Sequence, residues 1–293
     1  MASLEQQDKS FAGTLLHRSA GVNGRRLAFA LCVVLSVGMI LPLAWLVRSS
    51  LMEMGQIFIF PPQWIPNPFA WNNYPEALTT IPFFHYLWNS AVVVVPTIAG
   101  TVLSCSMAGY AFARLQWPFR DQIFAALMAT LMLPYVVTLL PTFLIWSKLG
   151  FVDTYIPLIA PHWLAANAFF IFLLRQFFKT LPKELDEAAR IDGAHIVQIF
   201  WFIILPLSRP ALLVVAILSG LNAWNDFVDP LVYINSSDKY TVALGLSQFV
   251  GLYTSQWSLL MAASTVVVLP VIIVFFFTQR YFMASITMTG LKG

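Results

Sequence analysis

Charged residues are scarce in this chain of 293 residues. Only 10% of the residues are charged, whereas 59% are hydrophobic. A soluble domain carries about 25% charged residues. A chain of this length cannot hide so large an apolar excess in a core, because much of its surface stays exposed. Together with a mean hydropathy of +0.77, the composition excludes an ordinary soluble protein and predicts that lipid surrounds much of the molecule.

The sequence also lacks the patterns that carry catalysis or bind cofactors. It contains no G-x-x-x-x-G-K-[ST] phosphate-binding loop, no H-E-x-x-H zinc motif and no G-x-S-x-G nucleophile motif. The histidines, at positions 17, 85, 162 and 195, are scattered without partners at ligand spacing, and we expect each to be structural or solvated. Cys32 and Cys105 both lie in apolar runs and are expected to be buried free thiols. We therefore predict no enzyme activity, no cofactor and no metal site in this chain.

Six apolar stretches are long enough to cross a bilayer, which takes about 20 helical residues. They cover residues 27–47, 88–112, 122–146, 155–178, 206–227 and 258–278. The sequence thus predicts an all-α polytopic membrane protein with six transmembrane helices. Several stretches contain proline, which membrane helices tolerate because neighbouring groups satisfy the freed carbonyls.

The chain reads as one domain with a short leading tail. We expect residues 1–24 to form a disordered cytoplasmic tail and residues 25–293 to form a single transmembrane domain. Arg25 and Arg26 precede the first span, as in a signal peptide, but no small-x-small cleavage site follows it. We therefore expect an uncleaved span.

The basic residues are distributed unevenly between the two sides that six spans create. With the N-terminus in the cytoplasm, thirteen of the 16 Lys and Arg residues fall on the cytoplasmic side, and only Arg48, Lys148 and Lys239 fall outside. Because basic residues are retained in the cytoplasm, both termini and the connection between the fourth and fifth spans are expected there. The predicted localisation is the cytoplasmic (inner) membrane.

The outer connection, residues 48–87, is rich in proline and aromatic residues. Aromatic side chains are typical of the membrane interface, where their amphipathic rings lie at the level of the headgroups. A surface that receives an extracytoplasmic partner would have the same composition. The sequence leaves both interpretations open.

A charged segment, residues 184–207, lies between the fourth and fifth spans. Pro182 is expected at the first helical position, and three acids follow where the helix dipole favours anions. Gly193 is expected to end this helix with a left-handed residue, and a second helix is predicted over residues 194–204. The segment 183–193 has a net charge of −2, which excludes DNA binding through phosphates.

One stripe of the first helix suggests a docking surface. It holds Leu185, Ala188, Ala189 and Asp192, at positions i, i+3, i+4 and i+7. The two small alanines would let the backbone of another protein approach closely. Composition alone fits equally well an amphipathic helix that lies on the membrane surface.

The spacing within this segment resembles the "EAA" signature of binding-protein-dependent ABC importer permeases. Glu187-Ala188-Ala189 is followed at the signature's intervals by Gly193, Ile203 and Leu205-Pro206. The stretch NAWNDFVDPLVY at 222–233 and the C-terminal TGLKG resemble the carbohydrate-uptake branch, in particular the second permease of maltose and glycerol-3-phosphate transporters. The approach to that tail is less rich in Gly and Ala than is usual.

The resemblance implies a subunit with several partners. In this family the signature loop, here about 180–205, forms coupling helices that dock into a cleft of an ATPase subunit. The coupling residues would be Glu187, Ala188, Ala189, Asp192 and Gly193. The implied partners are a second homologous permease, an ABC ATPase dimer and an extracytoplasmic solute-binding protein, and ATP hydrolysis would belong to the ATPase. The implied function is uptake of a sugar or sugar-like solute by alternating access.

The outer half of the fifth span holds candidate substrate residues. Asn222, Trp224, Asn225 and Asp226 lie close together in the sequence. Amides can hydrogen-bond sugar hydroxyls, and an indole can lie against the apolar face of a sugar. The same residues could instead hold helices together or anchor the span at the interface.

A stand-alone secondary carrier or channel is the alternative function. Such carriers usually have ionisable groups near the middle of the membrane. The centres of the six predicted spans contain no Asp, Glu, Lys or Arg, which disfavours a proton relay.

Overall fold

The computed structural model describes residues 22–251 and 255–290, with side chains described from 24 to 251 and from 255 to 279. The first helix begins at Val22, inside the tail predicted over residues 1–24. Residues 1–21, and most of the C-terminal TGLKG resemblance, lie outside the described residues.

Helices build most of the described chain. In chain order they are α1 (Val22–Ser50), α2 (Met54–Ile57), α3 (Asn73–Thr80), α4 (Phe83–Arg114), α5 (Arg120–Ala129), α6 (Tyr135–Lys148), α7 (Ile156–Trp163), α8 (Ala168–Thr180), α9 (Glu184–Ile191), α10 (Ile196–Gln198), α11 (Leu205–Leu207), α12 (Arg209–Asn225), α13 (Val228–Tyr233), α14 (Val242–Leu246) and α15 (Trp257–Gly290). A π-helical stretch, Ile199–Ile204, joins α10 to α11, and 3-10 turns occupy Thr130–Met132, Ser237–Lys239 and Ser247–Phe249. The only β pairing in the described part is an isolated bridge between Val250 and Ser255. The predicted all-α class is confirmed.

Four segments are long and apolar enough to cross a membrane as single units. They are Gly24–Ser50, Phe83–Arg114, Ile156–Thr180 and Trp257–Gln279. Two further candidates are bent pairs of helices, Arg120–Met132 with Tyr135–Lys148 and Ile196–Leu207 with Arg209–Asn225. Counting each bent pair as one span gives the six that the sequence predicts.

The third predicted stretch is not a straight helix. Its two halves meet at an angle of 104°, and the break falls at Leu133 and Pro134. Leu133 is extended, with φ −77° and ψ 121°, because the ring of a following proline disfavours helical backbone. The fifth stretch also differs from the prediction. The chain turns by 80° at Ser208, and α12 ends at Asn225 rather than near residue 227.

Helix α4 is the centre of the molecule and packs against α7, α8 and α12. Close contact with α8 depends on Gly109, where an added Cβ would lie 3.1 Å from the Cβ of Leu174 and 3.2 Å from the backbone nitrogen of Arg175. Small residues let membrane helices approach in this way. The core beside this contact includes Cys105, which is buried as predicted.

Helix α1 contacts the rest of the chain mainly through α15. Its residues from Gly24 to Ala44 are all exposed in the isolated chain. The prediction that Cys32 is buried is therefore wrong for this chain by itself, because Cys32 lies on this uncovered helix. A surface so apolar needs lipid or another protein beside it.

Side-chain clamps hold the connections at the end of the molecule opposite α9. The carboxylate of Asp153 accepts hydrogen bonds from the backbone nitrogens of Asn235 (3.0 Å) and Ser236 (2.9 Å) and from the Nζ of Lys239 (2.8 Å). Lys239 also forms a salt bridge with this carboxylate. The clamp joins the short connection before α7 to the connection after α13.

A second clamp ties α4 to the same connection. The Nδ2 of Asn89 donates to the carbonyl oxygens of Asp238 (2.7 Å) and Tyr240 (3.0 Å), and the backbone nitrogen of Val242 donates to the Oγ of Ser90 (2.8 Å). The aromatic connection 51–82 lies at this end of the molecule too. Within it, Trp64, Phe69 and Trp71 remain exposed, so the structure is compatible with both interpretations of its composition.

Candidate functional site

Helix α9 ends as its sequence predicts, but it begins two residues later than predicted. Lys183 is its N-cap, so Pro182 precedes the cap and is not the first helical residue that the sequence suggested. Gly193 adopts a φ of +84°, as predicted. The backbone nitrogen of Ala194 donates to the oxygen of Ala189 (2.9 Å), and that of Gly193 donates to the oxygen of Arg190 (3.1 Å). This pair of bonds is a Schellman motif, which satisfies carbonyls at the helix end.

The second helix of the segment contains a π-helical stretch. It begins at Ile196, two residues later than predicted, after His195, whose backbone nitrogen donates to the Oε1 of Gln198 (3.0 Å). The backbone nitrogen of Leu205 donates to the oxygen of Phe200, five residues back, directly before Pro206. Proline has no N–H and its ring crowds the carbonyl four residues earlier. The wider π turn accommodates it, so the helix continues to Leu207.

Helix α9 turns one face inward, which divides the predicted docking stripe. Ala189 is only 8% exposed and belongs to the main core cluster. Leu185, Ala188 and Asp192 are exposed. The prediction that both alanines face a partner is therefore wrong for Ala189, which packs within its own chain. The exposed tip of the loop instead includes Ile191, which is 86% exposed.

A buried ion pair attaches α9 to the end of α4. The Nη1 of Arg114 lies 3.6 Å from the Oδ2 of Asp186, and both side chains are at least nine-tenths buried. The Nη2 of Arg114 also donates to the carbonyl oxygen of Leu181 (2.7 Å). Asp186 and Arg190 are four residues apart, a spacing that suits a pair within the helix, but the carboxylate of Asp186 turns to Arg114 instead. Sequence reasoning missed this role of Arg114, although a basic residue ending an apolar span is a usable signal.

A cavity of about 510 Å³ lies near the C-terminal end of α12, far from α9. Its polar lining includes three of the predicted substrate residues, Asn222, Asn225 and Asp226. The remaining lining residues are Val93, Tyr135, Leu158, His162, Asn167, Phe170, Ser219, Leu221, Ala223, Asp229, Pro230 and Thr241. The predicted cluster of amides and a carboxylate is thus brought together in one concave site.

Trp224 does not join this cavity. It lies about 200° around the helix from Asn222 and borders an apolar groove with Ile98 and Pro270. Its Nε1 is buried and donates to no group in the described part of the chain. The geometry favours packing for Trp224, which is the alternative that the sequence left open.

Tyr135 and Asp229 are cavity residues that sequence reasoning missed. The hydroxyl of Tyr135 donates to the Oδ1 of Asp229. The backbone nitrogen of Asp229 in turn donates to the Oδ1 of Asp226 (3.2 Å). Tyr135 reaches the cavity because the bend before it redirects the chain, which composition does not reveal. Asp229 was part of the quoted NAWNDFVDPLVY stretch, and its spacing of three from Asp226 was a usable signal.

Irregular backbone inside the fourth span supplies another part of the cavity. Helices α7 and α8 are separated by residues 164–167, and Ala165 has a φ of +55°. Asn167 caps α8 by accepting a hydrogen bond from the backbone nitrogen of Phe170 (3.1 Å). His162, which the sequence left as structural or solvated, has its Nδ1 3.2 Å from the Oγ1 of Thr101. Non-helical backbone at membrane depth is tolerated where it lines a cavity or lies within the protein.

Neither place offers a metal site. Among the described residues, no three His, Cys, Asp or Glu side chains are grouped so that they could hold a metal ion. The chemistry available is hydrogen bonding, charge and shape, which suits binding and movement of a solute.

A family model described as "Binding-protein-dependent transport system inner membrane component" matches residues 100–287. The chain belongs to this family. The matched residues include α9 with its Gly193 turn and most of the cavity lining. The resemblance to ABC importer permeases of the carbohydrate-uptake branch, first indicated by the signature spacing, is confirmed.

Two relatives that are named as permeases match most of the chain. The arabinooligosaccharides transport system permease protein AraQ of Halalkalibacterium halodurans is 37% identical over 84% of this chain and 86% of its own. The sn-glycerol-3-phosphate transport system permease protein UgpE of Yersinia enterocolitica is 32% identical over 90% of this chain and 97% of its own.

The fold of the permease is also found in a solved structure. A chain from the crystal structure of a bacterial ABC transporter involved in the import of the acidic polysaccharide alginate aligns with a TM-score of 0.78. The alignment covers 90% of this permease and 98% of that chain at 23% identity. The predicted polytopic architecture is therefore that of a known ABC transporter subunit.

Proposed function

We propose that this permease moves a sugar or sugar-like solute through an ABC importer, and that α9 couples it to an ATPase subunit. The observation that carries the proposal is that α9 has one buried face and an exposed C-terminal end. Asp186 and Ala189 fix one face of the helix to the chain, while Ala188, Ile191 and Gly193 remain uncovered. A rigidly attached helix with an exposed apolar tip suits docking into a cleft.

The charge distribution supports a cytoplasmic position for this tip. Arg114, Arg175, Lys183 and Arg190 lie at the same end of the molecule as α9, as do the two salt bridges that Asp121 forms with Arg120 and Arg175. Basic residues are retained on the cytoplasmic side. The proposed orientation places both termini and the ATPase in the cytoplasm, and the cavity toward the outer side.

A transport path requires more than this chain. The long uncovered face of α1 and the exposed residues of α6 leave apolar surface that a second membrane protein would cover. We infer a second, homologous permease there, an ATPase dimer below, and a solute-binding protein on the outer connection. The solute class rests on the relatives, whose names refer to arabinooligosaccharides and sn-glycerol-3-phosphate, and on the hydroxyl-binding groups of the cavity.

Ala188→Trp tests the coupling role. The added indole would occupy the exposed side of α9 without touching the core, so the ATPase should no longer co-purify while the second permease does. ATP-driven uptake into proteoliposomes should be lost with it. Gln176→Trp is the matched control, because Gln176 is exposed on α8 near the same end. Normal co-purification and uptake with Ala188→Trp would contradict the proposal.

A further inference from the structure

Acidic groups dominate the charge of the cavity. Asp226 and Asp229 both line it, and the described residues place no Lys or Arg in its lining. Around them stand the amides of Asn222 and Asn225 and the hydroxyl of Tyr135. An ionised carboxylate only accepts hydrogen bonds, so it suits a donor such as a sugar hydroxyl.

None of the basic residues of the outer half lies in the cavity. The Nζ of Lys239 is held 2.8 Å from the Oδ2 of Asp153. The guanidinium of Arg48 donates to the carbonyl oxygen of Gln63 on the outer connection. Lys148 is exposed at the end of α6 and does not line the cavity. None of the three neutralises the negative charge of Asp226 and Asp229.

The wall of the cavity contains a buried hydroxyl without a partner. Thr241 lines the cavity and is only 5% exposed. Its Oγ1 has no hydrogen-bond partner among the described residues. Buried polar groups are normally satisfied, and a hydroxyl can both donate and accept. A solute with hydroxyl groups would supply the missing partner.

We propose that this cavity accepts a hydroxyl-rich solute without an anionic group and rejects acidic ones. A carboxylate, phosphate or sulfonate would face two like charges that water screens little inside the protein. Hydroxyl donors would instead form charge-assisted hydrogen bonds to Asp226 and Asp229. The inference rests on the proposed function and separates this permease from relatives named for sn-glycerol-3-phosphate.

Equilibrium binding to the purified permease–ATPase complex, without its solute-binding protein, tests the charge preference. The neutral probes are trisaccharides of arabinose, glucose and xylose. The acidic probes are glycerol 3-phosphate, trigalacturonate and an alginate trisaccharide. At least one neutral trisaccharide should bind about tenfold or more tightly than every acidic probe, since like-charge contact is strongly unfavourable.

The quantity to compare is the ratio of the affinity for the neutral trisaccharide to the affinity for the acidic probe. The double variant Asp226→Asn with Asp229→Asn should lower this ratio by about tenfold, because it removes both charges while keeping side chains of the same size that form hydrogen bonds. Retained binding of the neutral trisaccharide shows that the variant is folded. Asp238→Asn is the control, because Asp238 is exposed at the same end outside the cavity, and it should leave the ratio unchanged. Equal binding of acidic probes by the wild type would overturn the inference, and so would a ratio that the double variant does not change.

ATP-driven uptake by the complete transporter in proteoliposomes separates this inference from the function on which it rests. Uptake of an acidic probe in preference to every neutral one would agree with the proposed importer function but would overturn the charge preference. Absence of ATP-driven uptake for every probe, with an intact complex and its solute-binding protein present, would overturn the proposed sugar uptake itself.

Discussion

Single residues decide how the coupling helix is held. Gly193 at φ +84° allows the Schellman bonds, and Arg114 binds both Asp186 and the carbonyl oxygen of Leu181. The glycine was predictable, because it stands where a helical pattern stops. The partner of Asp186 was not predictable, because 72 residues separate it from Arg114 and the nearer Arg190 had suitable spacing.

Gly193→Val should impair coupling without preventing membrane insertion. A β-branched residue resists positive φ at a cost of about 1–3 kcal/mol, which corresponds to a roughly five- to 150-fold loss of the correct loop conformation. ATP-driven uptake should fall to a similar extent, while the amount of protein in the membrane is unchanged. Gly193→Asn is the control, since asparagine tolerates positive φ better than valine does. Full uptake by Gly193→Val would show that the turn is not needed.

Arg114→Met should loosen the segment from 181 to 194. The change leaves the Asp186 carboxylate buried without its cation, which costs about 3–5 kcal/mol when one partner of a buried pair is removed. Trypsin should then cleave faster at Lys183 and Arg190, which are exposed. Arg120→Met removes an exposed pair and should change the rate of cleavage little.

A second substitution makes this test specific. Adding Asp186→Leu to Arg114→Met removes the unpaired charge, so slow cleavage should return in part. Cleavage that stays at the wild-type rate in Arg114→Met would contradict an anchoring role for the pair.

At the scale of helices, the sequence predicted where the spans lie better than how they bend. Pro42, Pro96, Pro141 and Pro270 all remain inside continuous helices, whereas the chain breaks at Pro134. Proline by itself therefore did not identify the bend, because neighbouring helices decide whether the freed carbonyl is satisfied.

Helical spacing also explains which residues of α12 face the cavity. Asn222, Asn225 and Asp226 share one face, and Trp224 lies on the opposite one although it is adjacent in sequence.

The clamp at Asp153 should make stability depend on pH in acid. The Lys239 ammonium, followed by hydrogen bonds from Ser236, lowers the pKa of Asp153 below its usual value. A lowered pKa in the folded state means that the stabilisation is complete above the usual range, near pH 4, and is lost as the pH falls further. Asp153→Asn should therefore lower the thermal unfolding temperature at pH 7 and have a smaller effect near pH 2.

Comparison with Asp238→Asn provides the control for the clamp, because that carboxylate is exposed and forms no salt bridge in the described chain. A wild-type-minus-variant difference in unfolding temperature that does not shrink as the pH falls would show that the charge of Asp153 is not what stabilises the connection.

For the whole molecule, the bias of basic residues gives an orientation that labelling can check. In a background with Cys32→Ser and Cys105→Ala, Lys183→Cys should react with a membrane-impermeant maleimide only in inverted vesicles. Asn235→Cys should react in intact spheroplasts. Both positions are exposed and lie at opposite ends, and basic residues favour the cytoplasmic side at the Lys183 end. Labelling in the reverse pattern would invert the proposed orientation.

Helix α4 is tied at both of its ends, and this has a mechanical consequence. Arg114 fixes one end to the coupling segment, while Asn89 and Ser90 fix the other to the connection that carries Thr241 into the cavity wall. Its 32 residues span about 48 Å at 1.5 Å per residue. A tilt of about 5° around the midpoint of a rod of that length moves each end by roughly 2 Å in opposite directions. A push on α9 would therefore appear as a displacement at the far end of α4.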